Sequence, residues 1–162
     1  MGKRSVKENK NAYQQSRERC GLTREAAGEV LQFVSADRIE KIENDKSAPH
    51  PDEVLAMEQG YRDPLLSNYY CTHECPIGMK YEPEASLKDL PQLTVELLSS
   101  LHAIEQEKQL LIDISVDGRV DENERPAFDR IADKLAGLEQ TIRCMRLWIE
   151  HALYHGKMDD AK

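Results

Sequence analysis

From Phe128 to Ala152 apolar residues recur at alternating spacings of three and four: Phe128, Ile131, Leu135, Leu138, Ile142, Met145, Ile149 and Ala152. A mean period of about 3.5 residues keeps such a series on one side of an α-helix and on no side of a strand. This pattern commits the C-terminal part of the chain to a long helix. Upstream, Leu90, Leu97, Ile104 and Leu111 lie seven apart, with Leu93, Leu101 and Ile114 beside them. They predict a second helix from Leu90 to about Ser115. The segment VDGRVDENE between the two predicts a turn, and so an antiparallel helical hairpin over residues 90–155. Two helices bury little by themselves, so the seam is expected to close against a second copy in a four-helix dimerising bundle. The alternative is that the hairpin folds back onto the N-terminal part of its own chain.

The rest of the chain is also expected to be helical. Charged residues make up 32% and aromatics 6%, a balance that suits helices more than sheets. No run of 18 or more apolar residues is present, so no membrane span is expected. The start is basic with no apolar segment behind it, unlike a secretory signal. The four cysteines, Cys20, Cys71, Cys75 and Cys144, do not form a secreted disulfide framework, and the expected location is cytoplasmic. The net charge of −8 argues against a uniformly nucleic-acid-coating protein. The charge is uneven, however: residues 1–48 hold ten Lys or Arg and eight Asp or Glu. Only this front part has a charge that suits an approach to phosphate.

Residues 1–10 are polar and basic without periodicity, and are expected to form a flexible arm; residues 156–162 are a tail. Residues 11–70 predict five short helices. Asn11 caps the first, which Gly21 ends; Thr23 caps the second. The third opens after Ser35 and turns Ile39 and Ile42 inward. The fourth starts at Pro51 and runs to about Gln59, with Gly60 as its stop. Pro64 opens the fifth, ending near Tyr70. Residues 71–89, CTHECPIGMKYEPEASLKD, have no apolar period and read as a connector.

The run GLTREAAGEVLQFVSADRIEKIENDKSAP resembles the lambda-repressor/Cro-type, or XRE-like, helix-turn-helix regulators. The matching residues are Gly21, Leu22, Thr23, Glu25, Ile39, Ile42, Glu43 and Asn44, within residues 11–70. The resemblance implies an all-α, five-helix lambda-repressor-like head followed by the long antiparallel hairpin. It also implies a sequence-specific transcriptional regulator, repressor-like, that binds double-stranded DNA as a homodimer. The third helix would be the reader in the major groove. By position, Arg24 would touch a phosphate, Ser35, Ala36, Asp37, Arg38 and Lys41 would face the bases, and Asn44 and Lys46 would meet the backbone. Glu43 resembles the family's structural glutamate. Asp37 either discriminates by exclusion or favours the helix start through the dipole. Three departures stand out. Gly28 replaces an alanine, at an expected cost of about 0.5–1 kcal/mol. The turn LQFVS is one residue longer than usual, and Asp45 replaces the glycine after Asn44. The rival expectation is a protein-interaction adaptor or antagonist that keeps this fold without binding DNA.

Other motifs are weaker. Cys71, His73 and Cys75 are three candidate zinc ligands within five residues, where a structural site normally has four. The alternative is that the cysteines pack as small hydrophobes, and no cofactor is the main expectation. DISVDGRVDENE, residues 113–124, fits the calcium-loop spacing, but Ile114, Val116 and Pro126 favour a plain turn whose acids assist the next helix. No phosphate loop, zinc-protease pair or recognisable nucleophile is present, so no enzyme is expected.

Overall fold

The computed structural model describes residues 9–116 and 118–156. Of the expected arm and tail, residues 1–8 and 157–162 lie outside them. Among the described residues there are nine α-helices and no strand: α1 (Ala12–Arg19), α2 (Arg24–Leu31), α3 (Ala36–Glu43), α4 (Pro51–Tyr61), α5 (Leu65–His73), α6 (Gly78–Tyr81), α7 (Leu90–Gln106), α8 (Lys108–Ile114) and α9 (Arg125–Tyr154). None is long and apolar enough to cross a membrane. The described residues fall into two compact units. Ala85–Ile149 makes one; the residues up to Glu84, with those from Glu150 on, make the other.

The first unit is a head whose core holds Tyr13, Ala27, Leu31, Val34, Ile39, Ile42, Val54, Met57, Tyr61 and Leu66. Each of its first three helices starts on a side-chain cap. Asn11 accepts from the Gln14 N–H at 3.1 Å, Thr23 from Ala26 at 3.2 Å and Ser35 from Arg38 at 3.3 Å. These oxygens satisfy donors that a helix start leaves without a partner. Helix α1 ends on Gly21 at φ +71°, as its sequence predicts. Helix α4 differs from expectation. It continues through Gly60 and stops at Arg62, which adopts φ 53° and ψ 43°. Gly60 is there for packing: a Cβ would meet Leu31 Cδ2 at 2.6 Å.

The longer turn between α2 and α3 is resolved by one strained residue. Gln32 has φ 63° and ψ −53°, and the Phe33 N–H donates to the Leu31 carbonyl at 2.7 Å. This is a γ-turn of the rare, positive-φ kind, which reverses the chain within three residues. The reversal brings the next strand of chain down on Gly28, where a Cβ would lie 3.2 Å from Ala36 N and 3.4 Å from Val34 O. Gly28 therefore gives up helix propensity but lets the turn sit against α2. We expect Gln32→Gly to stabilise the head by about 1 kcal/mol, because the strain relieved exceeds the added freedom of the unfolded chain. A higher urea midpoint at unchanged m-value would show it.

The head runs past Tyr70. Helix α5 continues to His73, and Asn68 Nδ2 donates to the Pro83 carbonyl at 3.1 Å. Part of the expected connector is thus folded. Gly78 is buried against α5, where any Cβ would collide with the Cys71 carbonyl.

In the second unit the helix expected from Leu90 to about Ser115 is divided at Glu107, which has φ −93° and ψ 0°. Its N–H turns to Ile104 O, three residues back. The Ala103 carbonyl instead accepts from Lys134 Nζ at 3.4 Å, and Lys134 also pairs with the Glu107 carboxylate. Helix α9 is nucleated by its acids: Asp121 accepts from the Asn123 and Glu124 N–H groups, and Glu124 accepts from the Asp121 N–H at 3.1 Å. That reciprocal pair is a capping box. It employs two carboxylates of the calcium-loop pattern, and Asp117 of that pattern lies outside the described residues. The inward line of α9 also differs from the expected seam. Ile131, Thr141, Cys144 and Leu147 are buried, whereas Phe128, Leu135, Ile142 and Ile149 are exposed. Thr141 tolerates burial because its hydroxyl donates to the Gly137 carbonyl at 3.0 Å.

Candidate nucleic-acid interface

Helix α3 is held by its inner side. Ile39 and Ile42 are buried, and Glu43 is fully so. A buried carboxylate persists only when paired and hydrogen-bonded. Arg17 of α1 grips it with two bonds, Nε to Oε1 at 2.5 Å and Nη2 to Oε2 at 2.9 Å. Arg24 of α2 adds Nε to Oε2 at 2.8 Å, and Arg17 also donates to the Leu22 carbonyl at 2.6 Å. One carboxylate thereby fixes the mutual placement of α1, α2 and α3. Glu43 is structural, as the resemblance implied.

The outer side of α3 presents Ser35, Asp37 and Lys41 as exposed residues, with Ala36 and Glu40 half-buried. Asp37 sits in the first turn, where the helix dipole favours an acid, and Ser35 is the cap itself. Beyond the helix, Asn44 is half-buried at the C-cap and Asp45 takes φ +56°. The Asp45 N–H bonds Ile42 O at 3.0 Å and the Lys46 N–H bonds Lys41 O at 2.9 Å. This Schellman ending leaves the Lys46 side chain exposed beside the reader side. Asp45 is steadied in its unusual conformation by Asn11, whose Nδ2 donates to Asp45 Oδ1 at 2.9 Å.

Two expected contact residues are placed otherwise. Arg38 was expected to face the bases, but its guanidinium is turned toward the start of α4. It donates Nε to Glu53 Oε1 and Nη2 to Glu53 Oε2, both at 2.7 Å, and also bonds Ser47 Oγ and the Ala48 carbonyl. The reason is electrostatic: Glu53 is buried, and a bidentate guanidinium is the best partner for a buried carboxylate. Arg38 holds the Glu53 carboxyl below its ordinary range, and the His50 N–H, donating at 2.7 Å, acts in the same direction. Arg24 was expected on a phosphate, yet its Nε is used at Glu43, and its Nη1 lies 4.0 Å from Glu40. Glu53 was not singled out from the sequence. Its signal was available: it stands at the third position of a helix opened by His50 and Pro51, the acidic position of a capping box.

The candidate zinc ligands are not assembled. Cys71 and His73 lie two apart on α5 and so point to different sides. The His73 ring stacks on Tyr69 at 4.6 Å, and Cys75 lies beyond the helix end. Among the described residues no group of three His, Cys, Asp or Glu is placed to hold a metal ion.

The arrangement is thus a head whose first three helices are braced through one carboxylate and which offers the outer side of one short polar helix. Residues 14–63 match the family model described as a helix-turn-helix domain. No curated protein and no solved structure shows significant similarity to the chain. The match begins inside α1 and ends just past α4, and so contains α2, the strained turn, α3 and both arginine–glutamate braces. The head of this chain, over residues 14–63, is a helix-turn-helix domain, consistent with the XRE-like resemblance of its sequence.

Proposed function

We propose that the chain is a sequence-specific DNA-binding transcriptional regulator, cytoplasmic, non-enzymatic and without a cofactor, that acts as a homodimer. The observation that carries it is the helix-turn-helix domain with a capped α3 whose outer side is polar and exposed. A helix of this kind enters a major groove about 12 Å wide and meets base edges with donors and acceptors. With Arg38 engaged at Glu53, base contacts fall to Ser35, Ala36, Asp37 and Lys41. Asn44 and Lys46 are left for the DNA backbone. Asp37 would accept from a cytosine amino group or exclude other bases.

The dimer reading is supported by the exposed side chains Phe128, Leu135, Ile142 and Ile149, which recur every seven residues along α9. Leu98, Leu101 and Leu111 are likewise exposed on α7 and α8. A heptad line left uncovered within one chain is the pattern that a second helix of the same kind covers. Two heads would then address half-sites about 34–36 Å apart.

Selection of bound sequences from a random DNA pool tests the reading, and an enriched near-palindrome is expected. Lys46→Ala should weaken all sequences alike and lower the salt slope by about one, as counterion release requires. One observation favours the rival adaptor role: both arginines near the reader side are consumed by ion pairs, while Asp37 stands exposed. An adaptor would enrich no sequence and would flow through heparin at low salt.

A further inference from the structure

The second unit, Ala85–Ile149, is short of core. Among the described residues its buried apolar side chains are Ala85, Leu93, Ile114, Ile131, Cys144 and Leu147. So few leave a unit of this size marginal by itself. Apolar surface that it lacks inside is carried outside on α9. There Leu135, Glu139, Ile142, Arg146 and Ile149 are all exposed, at alternating spacings of four and three. That is the spacing of a helix seam.

Two members of this line are charged, and they have opposite signs. Glu139 stands between Leu135 and Ile142, and Arg146 between Ile142 and Ile149. No ion pair engages either of them among the described residues. A charge set into an apolar line is costly to cover unless it meets its opposite. The arrangement of the pair therefore says how a covering helix must run.

In a parallel, in-register pair each residue meets its own copy. Glu139 would face Glu139 and Arg146 would face Arg146, two like-charge contacts in one seam. A parallel pair shifted by seven residues would match one Glu139 with one Arg146, but such a contact is heterologous and does not close into a dimer. An antiparallel pair crossing at Ile142 behaves differently. Glu139 lies three residues before the crossing and Arg146 four after it, so each meets the other across the seam. Two-fold symmetry makes that contact twice. Leu135 then faces Ile149 of the second copy, and Ile142 faces Ile142.

We propose that the uncovered face of α9 binds a second copy of this chain in antiparallel orientation, with Glu139 and Arg146 as the reciprocal pair that sets the direction. The inference rests on the homodimer reading and adds to it how the two copies meet.

The test is sedimentation equilibrium of the full chain over a concentration series at low salt. The parent should be a dimer. Glu139→Arg sets like charges against Arg146 at both contacts and should raise the dimer dissociation constant by about tenfold or more. Arg146→Glu should do the same. The double exchange, Glu139→Arg with Arg146→Glu, remakes both contacts and should return to within about threefold of the parent. Its recovery shows that the single variants lost association and not fold. Asp133, exposed on α9 but off the line, is the control: Asp133→Arg makes the same change in net charge and should leave association unchanged. A parent that stays monomeric overturns the homodimer reading and this inference with it. A dimeric parent whose Glu139→Arg variant associates as tightly overturns the antiparallel pairing alone, as does a double exchange no tighter than the single variants.

Discussion

Glu43→Gln is expected to lower the unfolding free energy of the head by about 3–5 kcal/mol, the usual consequence of removing one partner from a buried ion pair. Arg17 is 6% exposed and has Glu43 as its bidentate partner. A neutral amide would keep the shape of the site but present N–H groups toward guanidinium donors, and the buried cation would lose its counter-charge. Arg24, also on Glu43, would lose its anchor at the same time. Urea unfolding followed by a probe in the head reads the effect. A loss under about 1 kcal/mol would mean that Arg17 finds water or another acceptor, and that the three helices are not fixed through this carboxylate. The double replacement Arg17→Met with Glu43→Met should cost less than Glu43→Gln alone, because it strands no charge.

Arg38→Ala should cost about 2 kcal/mol of stability, and its effect on DNA should be uniform across sequences. The Glu53 carboxylate, 8% exposed, would keep only the His50 N–H among its present partners. Losing a charge-assisted bidentate contact to a buried acid is worth about this much. The pH dependence gives a separate signature. Because Arg38 holds the Glu53 carboxyl below its ordinary 4.5, the folded state takes up a proton there less readily than the unfolded chain. That contribution to stability is complete above about pH 4.5 and is lost as the pH falls through the lower, folded value. Arg38→Ala should flatten that part of the stability profile. In a binding selection the variant should keep the parent's consensus at every position. A consensus relaxed at one base would show instead that Arg38 leaves Glu53 to read DNA.

The helix starts of the head were legible in the sequence because each depends on a local event. Asn11, Thr23, Ser35 and Pro51 act within one turn of themselves, and they start α1, α2, α3 and α4 where they stand. The inward turn of Ile39 and Ile42 was equally legible, as was the structural role of Glu43. Ends were harder. Gly60 has the composition of a stop signal, yet Leu31, far away in the chain, needs its missing Cβ, and the stop falls to Arg62. The division of the α7–α8 stretch was invisible because Lys134, remote in sequence, engages the broken turn.

The sequence by itself determined that the chain is helical, that a short polar helix follows a tight turn, and that a heptad line runs along the last helix. Periodicity and capping are properties of neighbouring residues, so one dimension is enough to read them. Which charged side chains remain available for a partner was decided only by the tertiary structure. Arg24 and Arg38 look like ligand contacts in the linear pattern, but buried acids brought up from other helices claim them first. A carboxylate's choice of partner depends on what burial leaves within about 3 Å of it, and that distance exists only once the chain has packed.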